Sequence, residues 1–575
     1  MSKADPICTN WSPDHTGCQK SGRYTCQNCK LVTYCGRPCQ TAHWPRHKVD
    51  CRSPLGKETW QPAWSREGRE PAFLGGGYQE FGNKKYPWGN IPAFDVLQLS
   101  SNEGVAYDED VSLLFAASGD LRNVIKTISQ VPESYKKSIS LTINDRDIDI
   151  VARNVIMLLI ALFVNDPNEA VLCIIHVWYS SLLRKSDLAM LQGLIRPLLQ
   201  AVCDSIKDKG EDAVMAKTWS SEGRELRVVL TKSSWDRLVS FLDVPAGLTV
   251  ERATRIRTEV TLAESRRDFV DRHMCCQPTH HRVPLRRFRE DGLLLPFGYP
   301  RHEFVTPNPT FFQNGDSWPM MDSEDPLLGW SPEDVAETSS GAATADIYGK
   351  LFYFLRTTLS SFLGRMSTMK LSFELLQVDV NKLLPHIQNK KFDRIEASRP
   401  PVSNISDTGY VGIHTTLALA MPCLQPVETN PHATLITLFM NSIEEFMTDE
   451  DHKRLALAGD PSAERVLKYL YPPPNLLLSR YDPFTFRFMF GKDLVAPFDH
   501  IFARYTEHFR FQEFGALLGA VQKERHTLVP KWPCQLKLQP GQEGEREEFD
   551  RLLASGLCGK ERYVEWQRVA TQVAK

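Results

Sequence analysis

Two successive apolar segments in the first third of the chain predict a parallel α/β sheet. An apolar run over 111–117 ends at Ser118-Gly119-Asp120, and apolar residues at helical spacing follow it. The pattern then repeats, because residues 139–143 alternate as a strand, stop at Asn144-Asp145 and are followed by an apolar helical stretch over 150–163. A strand–helix–strand–helix order is typical of parallel strands with helices packed on the sheet.

The same pattern, with shifts in composition, divides the whole chain. Helical periodicity is predicted over 169–206, 232–269 and 347–366, a loop over 208–222, and later strands near 392–398 and 433–439. The predicted units are a cysteine-rich segment (1–55), an irregular linker (56–87), the first part of the α/β domain with helices (88–205), a helical and basic segment (206–306), a flexible Pro/Ser-rich insertion (307–346), the second part of the α/β domain (347–471), and an aromatic-rich C-terminal subdomain with its tail (472–575).

Composition narrows the classes of function. The 575 residues are 42% hydrophobic and 24% charged, a composition that predicts a folded protein. The net charge of −2 creates no overall electrostatic field that would attract nucleic acid or an anionic membrane. The longest apolar stretch, 155–164, is half of the roughly 20 residues that span a bilayer. Residues 1–10 are polar and lack a secretory signal pattern. We therefore expect a cytoplasmic protein, with the nucleus as the alternative compartment.

The distribution of cysteines along the chain predicts metal-binding sites near the N-terminus. Seven of the fourteen cysteines lie in the first 51 residues, and the series Cys39, His43, His47 and Cys51 advances in four-residue steps, as on one helix. Zinc takes four Cys or His ligands in a structural site, so eight ligands complete two sites. Disulfides are disfavoured because no secretory signal is found, and catalytic zinc because every coordination position can be filled.

These residues resemble the MYND-type zinc finger, through Cys26-Gln27-Asn28-Cys29, Tyr34-Cys35-Gly36-Arg37-Pro38-Cys39 and His43-Trp44-Pro45-Arg46-His47 followed by Cys51. The resemblance implies interleaved binding of two structural Zn²⁺ ions. One ion would be held by Cys8, Cys18, Cys35 and Cys39, and the other by Cys26, Cys29, His47 and Cys51. His43 would then be spare.

One departure from the family pattern leaves an alternative open. Nine residues separate Cys8 from Cys18, where the family has a tight Cys-x2-Cys pair, and His15 could replace Cys8 as the ligand. Cys8 is favoured because thiolates dominate structural zinc sites and a longer loop costs only modest entropy.

The finger's charge and its resemblance indicate the kind of partner. Between Cys8 and Cys51 there are six basic and two acidic side chains, which seven thiolates and two zinc ions largely balance, so a protein partner is expected rather than nucleic acid. The fingers that it resembles typically dock proline-containing peptides. Tyr34 and Trp44 are candidates for such a contact surface, or alternatively for the small core between the zinc sites.

The carboxyl edge of the predicted sheet is a candidate cofactor site. Ligands bind at this edge in doubly wound sheets, which places Gly119, Asp120 and Asp145 near a cofactor such as S-adenosylmethionine. The first turn has a single glycine, fewer than nucleotide sites normally carry. An acid at this position is also an ordinary helix N-cap, and the sequence favours that interpretation for Asp145.

Residues 88–163 resemble a domain of unknown function that is found beside MYND fingers and at the start of dynein axonemal assembly factor three. The residues that carry the likeness are Trp88-Gly89-Asn90-Ile91-Pro92-Ala93, the run 116–123, Ile143-Asn144-Asp145 and Arg153-Asn154. Residues 392–398 and Asn404-Ile405-Ser406-Asp407 resemble strand ends of methyltransferase-like sheets. This second likeness implies a Rossmann-like fold.

A third metal site near His273, Cys275, Cys276, His280 and His281 is disfavoured, because adjacent cysteines do not easily coordinate one tetrahedral ion.

The sequence thus predicts a small two-zinc finger followed by an α/β, Rossmann-like and methyltransferase-like sheet with large helical insertions. The favoured function is a zinc-binding interaction or assembly protein whose finger recruits a protein partner and whose body is a degenerate methyltransferase-like domain without catalysis. The alternative is an S-adenosylmethionine-dependent methyltransferase.

Overall fold

The computed structural model describes residues 6–12, 17–74, 80–397, 406, 411–456, 460–473 and 481–569. The strands are β1 (Tyr24–Thr25), β2 (Thr33–Tyr34), β3 (Val111–Phe115), β4 (Ile139–Asp145), β5 (Leu182–Arg184), β6 (Val214–Ser221), β7 (Arg224–Thr231), β8 (Phe304–Pro307), β9 (Leu371–Gln377), β10 (Arg394–Glu396), β11 (Thr434–Phe439), β12 (Ala520–Gln522) and β13 (Arg562–Arg568).

Nine of these strands form one mixed sheet in the order β12-β13-β11-β10-β3-β4-β9-β7-β6. The six strands from β11 to β7 are parallel, with Val111 opposite Ile139 in the central pair. An antiparallel pair closes each side, β12 with β13 and β6 with β7. Five of the six parallel strands, β3, β4, β9, β10 and β11, when numbered along the chain without β7, lie in the order 3-2-1-4-5 from β9 to β11. The strand order reverses beside β3, and β7 is added beyond β9.

The helices within the described residues surround this sheet. They are α1 (Arg37–Cys51), α2 (Ala63–Glu67), α3 (Arg122–Gln130), α4 (Ile148–Phe163), α5 (Pro167–Tyr179), α6 (Lys185–Met190), α7 (Arg196–Ser205), α8 (Lys232–Ser240), α9 (Val250–Thr261), α10 (Arg267–Cys276), α11 (Arg282–Asp291), α12 (Pro332–Glu337), α13 (Ile347–Met366), α14 (Leu384–Ile387), α15 (Gly412–Ala420), α16 (Ser442–Phe446), α17 (Asp449–Ala456), α18 (Pro461–Val466), α19 (Pro483–Val495), α20 (Asp499–His508), α21 (Phe511–Leu518) and α22 (Glu545–Ser555). None of the described helices has the length and apolar content needed to cross a membrane.

Alternate residues of the central strands pack in two hydrophobic cores, one on each face of the sheet. Leu113 and Phe115 of β3 belong to the larger core, which includes residues of α3, α4, α5 and α13. Leu114 belongs to the second core, with residues of α15, α20 and α21. Burial on both faces explains why the central strands and α4 are apolar almost throughout.

The structure differs from the predicted elements in several places. The helical stretch predicted over 169–206 is interrupted by β5, and the one predicted over 232–269 is divided into α8, α9 and the start of α10. The loop predicted over 208–222 contains β6, an edge strand whose side chains are mostly exposed. The insertion predicted to be flexible over 307–346 is instead packed, with Phe311, Phe312 and Trp318 buried in the larger core. The predicted strand–helix pairs at 111–163 and the helix at 347–366 are observed.

The sheet extends across the predicted unit boundaries. Strands β12 and β13 come from the C-terminal unit predicted over 472–575, yet β13 pairs with β11. Strands β6 and β7 come from the unit predicted over 206–306, yet β7 pairs with β9. These units therefore contribute to one layered body, although they are separated along the chain.

Candidate metal centres and the sheet edge

A short hairpin and one helix frame the N-terminal cysteines. Strands β1 and β2 pair antiparallel, and the turn between them is closed by hydrogen bonds from Cys26 N to Val32 O (3.2 Å) and from Lys30 N to Cys26 O (2.8 Å). Lys30 adopts a positive φ of 53°, which lets the chain reverse tightly after Cys29. Helix α1 carries Cys39, His43, His47 and Cys51 in successive turns, as their spacing predicted.

The first ligand set is Cys8, Cys18, Cys35 and Cys39, whose sulfur atoms all lie within 4.8 Å of one another. The Sγ atoms of Cys18 and Cys35 are 3.7 Å apart, and those of Cys35 and Cys39 are 3.5 Å apart. With Zn–S bonds of about 2.3 Å, a tetrahedral site has S···S edges of roughly 3.8 Å. The set therefore has the spacing that one zinc ion requires.

The second ligand set is Cys26, Cys29, His47 and Cys51, with the same mutual spacing. Cys26 Sγ lies 3.6 Å from Cys51 Sγ, and His47 Nε2 lies 3.3 Å from Cys29 Sγ. Asn28, which the sequence reasoning did not single out, donates its side-chain amide to Cys51 Sγ (3.2 Å) and to Cys51 O (2.9 Å). A donor to a thiolate stabilises its charge, so Asn28 supports this site from outside the ligand set.

The two sets are those that the resemblance implies, and they alternate along the chain. Burial raises the pKa of the Cys29 thiol well above its usual range, and it lowers the pKa of the His47 imidazole. Burial thus favours the neutral thiol of Cys29 and the neutral imidazole of His47. Metal binding has to displace thiol protons, which makes metal affinity weaker at acidic pH.

Of the two remaining histidines of the finger, His43 is described by the structure and lies outside both ligand sets. His43 is held by Tyr34, whose hydroxyl lies 3.0 Å from His43 Nδ1, and its ring stacks on His47 at a centroid distance of 5.9 Å. Burial lowers the pKa of His43 to about 4, so its ring is neutral at physiological pH. His15, the alternative to Cys8, lies outside the described residues.

One face of the finger is docked on the body. Ala345 N donates to Lys30 O (3.1 Å), Trp11 Nε1 donates to Gly298 O (2.8 Å), and Asp50 pairs with Arg287 at 2.7 Å. Leu31 and Val32 of the finger share a small apolar core with Val283, Phe297 and Ala345 of the body. The finger is therefore held in a fixed orientation by polar and apolar contacts.

The exposed side of α1, away from Asp50, forms an open face of the finger. Tyr34 is 1% exposed and fills the finger's core, whereas Trp44 is half-buried at the surface beneath the Arg52 guanidinium, which lies 5.5 Å from its ring centroid. Val49 is 71% exposed. Of the two aromatic residues that the sequence offered as a contact surface, Trp44 is the one that remains accessible.

At the sheet edge, Asp145 is fully engaged inside the protein. Its Oδ2 accepts from Gly119 N (3.0 Å) and its Oδ1 from Asp147 N (2.9 Å), so it ties the turn after β3 to the turn after β4. The side chain that caps α4 is Asp147, which accepts from Asp149 N (2.9 Å). The cap interpretation of Asp145 is therefore wrong, because the cap is the acid two residues later.

Burial also raises the pKa of Asp145 to about 6. The folded protein then holds this proton more tightly than the unfolded chain. The contribution of Asp145 to stability consequently falls as the pH rises from about 4 to about 6.

Asp120 and Gly119 are both buried, but they differ in what surrounds them. Asp120 is buried and accepts from Arg122 Nε at 2.6 and 2.9 Å, which leaves its carboxylate committed to an internal ion pair. Gly119 adopts a positive φ of 56°, and a Cβ at this position would meet no heavy atom within 4 Å. Asn154, singled out by the sequence, donates to Gly119 O (2.8 Å) and helps to hold this turn.

We expect Asp145→Ala to lower the free energy of unfolding by about 2–4 kcal/mol, because the buried Gly119 N–H and the half-buried Asp147 N–H lose a charged acceptor. The matched control is Asp166→Ala, which removes an exposed N-cap of α5 and costs about 1 kcal/mol. Urea unfolding of the two variants measures the difference. Equal, small losses would contradict the tie between the two turns.

Cys275 and Cys276, where the sequence disfavoured a third metal site, lie in different side-chain clusters. Cys275 packs in a cluster with Trp64 and Phe73, whereas Cys276 packs in another with Val466 and Phe549. Among the described residues, groups of Cys, His, Asp and Glu close enough to hold a metal are found only in the finger.

Comparison with known families agrees with two of the resemblances. A MYND finger model matches residues 15–51, and the model of a domain of unknown function, DUF4470, matches residues 87–183. The chain thus contains a MYND finger, whose matched range excludes Cys8, and a DUF4470 region that includes β3, β4, α4 and α5. No curated protein and no solved structure matches the chain.

Proposed function

We propose that this chain is a zinc-binding interaction or assembly protein whose finger recruits a protein partner. The observation that carries the proposal is the pair of complete four-residue ligand sets, Cys8, Cys18, Cys35 and Cys39 with Cys26, Cys29, His47 and Cys51. Each set can fill all four coordination positions of a tetrahedral zinc ion and leaves no position for substrate, as in structural zinc sites. MYND fingers generally mediate protein interactions.

The open face of α1 is the proposed partner surface. Besides Trp44 and Val49 it exposes Arg37, Arg46, Lys48 and Arg52, and no carboxylate pairs with these four side chains in the part of the chain described. The only acid of α1, Asp50, is paired with Arg287 of the body. A proline-containing segment that also carries acidic residues complements this face, since Trp44 offers a ring for proline and the basic side chains attract acids.

We propose that the body is a methyltransferase-like domain that has lost catalysis, and that the protein acts in the cytoplasm. The order 3-2-1-4-5 of five parallel strands, with a reversal beside β3 and with β7 added beyond β9, supports the Rossmann-like part, because the doubly wound nucleotide-binding sheet begins with this order. The internal engagement of Asp120 and Asp145 supports the loss of function, since neither carboxylate is free to grip a cofactor.

Peptide binding by the full-length protein tests the finger's role. We expect Trp44→Ala to weaken the binding of proline-containing, acidic peptides, selected from an array, by at least tenfold, because a central aromatic contact is typically worth 2 kcal/mol or more. Tyr24→Ala is the matched control, since Tyr24 is a finger aromatic that is 64% exposed but lies on β1. Both variants should retain two zinc ions per chain. Unchanged binding by Trp44→Ala would contradict this surface.

A second function, S-adenosylmethionine-dependent methyl transfer, is favoured by one observation. Gly119 has open space beside it at the strand-order reversal, where cofactors bind in such sheets. Calorimetric titration with S-adenosylmethionine separates the two functions. Saturable micromolar binding would support a cofactor site, and absence of binding is the result expected for an assembly protein.

A further inference from the structure

A cavity of about 430 Å³ lies beside the amino end of α4, away from the finger. Its walls come from four parts of the chain: residues 83–87, the first two turns of α4, α8, and the loop over 310–319. The volume suits a small metabolite. Neither the proposed partner surface nor the Gly119 turn contributes a residue to its lining.

The most unusual lining residue is Arg153, a buried guanidinium without a carboxylate partner. It is 4% exposed, and its Nη2 donates to the carbonyl oxygens of Val177 (3.1 Å) and Trp178 (2.9 Å). Its Nη1 donates to both oxygen atoms of Thr310, and the guanidinium lies 4.2 Å from the centroid of the Phe311 ring. No ion pair of Arg153 and no partner of its Nε–H is found among the described residues.

A buried cation without an ion-pair partner is costly, and proteins normally pair it with an anion. Burial lowers the pKa of Arg153 to about 9, although the charge of Asp120 acts in the opposite direction. Asp120 is itself paired with Arg122. Carbonyl oxygens satisfy its hydrogen bonds but carry no net charge. The side chain therefore has one donor and one positive charge that an anionic ligand in the cavity would satisfy.

The rim of the cavity carries further cations that are paired with acids. Lys85 and Arg237 both pair with Asp149, with Arg237 Nη2 2.8 Å from Asp149 Oδ1. Asp147 lies 3.6 Å from Lys85 Nζ and caps α4. In all, the lining has four cations, Lys84, Lys85, Arg153 and Arg237, and two acids, Asp147 and Asp149. Lys84 also pairs with Glu80 outside the cavity, which leaves a positive excess among the inner groups.

We propose that this cavity binds the phosphate monoester group of a small hydroxylated molecule. Its cations approach from three separate elements, an arrangement that suits a tetrahedral oxyanion better than a planar carboxylate. The first turn of α4 adds the positive end of a helix dipole. Asp147 and Asp149 accept hydrogen bonds from the hydroxyl groups of the same ligand, and Pro87, Ile150 and Phe311 supply apolar walls.

Calorimetric titration of the full-length protein at low salt tests the proposal with three probes: ribose 5-phosphate, inorganic phosphate and ribose. We expect saturable binding of ribose 5-phosphate and no binding of ribose. Lys85→Gln and Arg237→Gln should each weaken binding at least tenfold, whereas Arg286→Gln, which removes an exposed cation paired with Glu290, should not change it. Arg153→Met should abolish binding.

The two rim variants keep the test decisive if the buried Arg153→Met variant does not fold, and circular dichroism checks the fold of each. Tighter binding of ribose 5-phosphate than of inorganic phosphate identifies an organic phosphate as the ligand, and equal binding identifies free phosphate. The proposal is overturned if neither phosphate compound saturates the protein by about 10 mM. It is also overturned if the rim variants bind as tightly as the wild type.

Discussion

His47→Gln is expected to reduce the zinc content from two ions to one per chain and to unfold the finger's second site, whereas His43→Gln is expected to keep both ions. The two histidines lie one turn apart on α1, and both are sheltered from solvent. Only His47 belongs to a ligand set, with its Nε2 3.3 Å from Cys29 Sγ. The pair of variants therefore separates metal ligation from burial.

The expected loss is large because metal binding is the main source of stability in such modules. A structural zinc site contributes an apparent 10–16 kcal/mol at neutral pH, and the glutamine variant loses most of it at one of the two sites. Elemental analysis gives the zinc content, and hydrogen exchange over residues 24–51 reports the loss of structure. Retention of two zinc ions by His47→Gln, or loss of one by His43→Gln, would refute the ligand assignment.

Because the finger is docked on the body, the unfolding expected in His47→Gln should also be measurable in the body. The contacts of Asp50 with Arg287 and of Lys30 with Ala345 depend on a folded finger, so part of the finger's stability is shared with the segments around α11 and α13. We expect faster hydrogen exchange near residues 283–299 and 340–346 in His47→Gln. The central strands should keep their protection, because their core does not include finger residues.

Features that depend on neighbours along the chain could be predicted from the sequence. The strand–helix repeat at 111–163 and the helix at 347–366 follow from periodicity within single elements. The ligand positions of α1 follow from their four-residue spacing in the same way. The grouping of Cys8 with Cys39, by contrast, came only from a family resemblance, since no local rule joins residues so far apart.

Features set by long-range packing were mispredicted for physical reasons. Strand β6 is an edge strand with little burial, so residues 214–221 carry too few inward apolar positions to show a period of two. Prolines in 307–346 indicated a flexible insertion, but Phe311, Trp318 and Trp330 anchor it in the core. The aromatic content of that segment was the available signal, because flexible segments rarely carry large apolar side chains.

For the acids at the sheet edge, the sequence could not predict which residue caps the helix and which one holds the neighbouring turn. Asp145, Asp147 and Asp149 alternate along the chain, and each is a suitable acceptor for a helix amide. Only the position where α4 begins decides that Asp147 is the cap and that Asp145 reaches back to Gly119. A boundary error of two residues is enough to exchange these roles.

The second large effect is expected at Arg394, where Arg394→Met should lower the free energy of unfolding by about 3–5 kcal/mol. Arg394 of β10 and Glu103 are 0% and 1% exposed, and Arg394 Nη2 lies 2.7 and 2.9 Å from the two carboxylate oxygens. Removing the guanidinium leaves a buried carboxylate whose remaining side-chain donor is the Asn430 amide at 3.3 Å. Chemical denaturation followed by hydrogen exchange at the β10 amides measures the loss.

The double variant Arg394→Met/Glu103→Leu is expected to recover most of that loss, because two apolar side chains remove both desolvation costs together. The exposed pair Arg286 and Glu290 is the control, and its Arg286→Met variant should cost less than about 1 kcal/mol. A double variant as unstable as Arg394→Met would show that the cost lies elsewhere, in the bonds from Arg394 to Leu97 O and Asp393 O. Recovery would instead show that the ion pair between Arg394 and Glu103 holds β10 to residues 97–103 chiefly because each buried charge compensates the other.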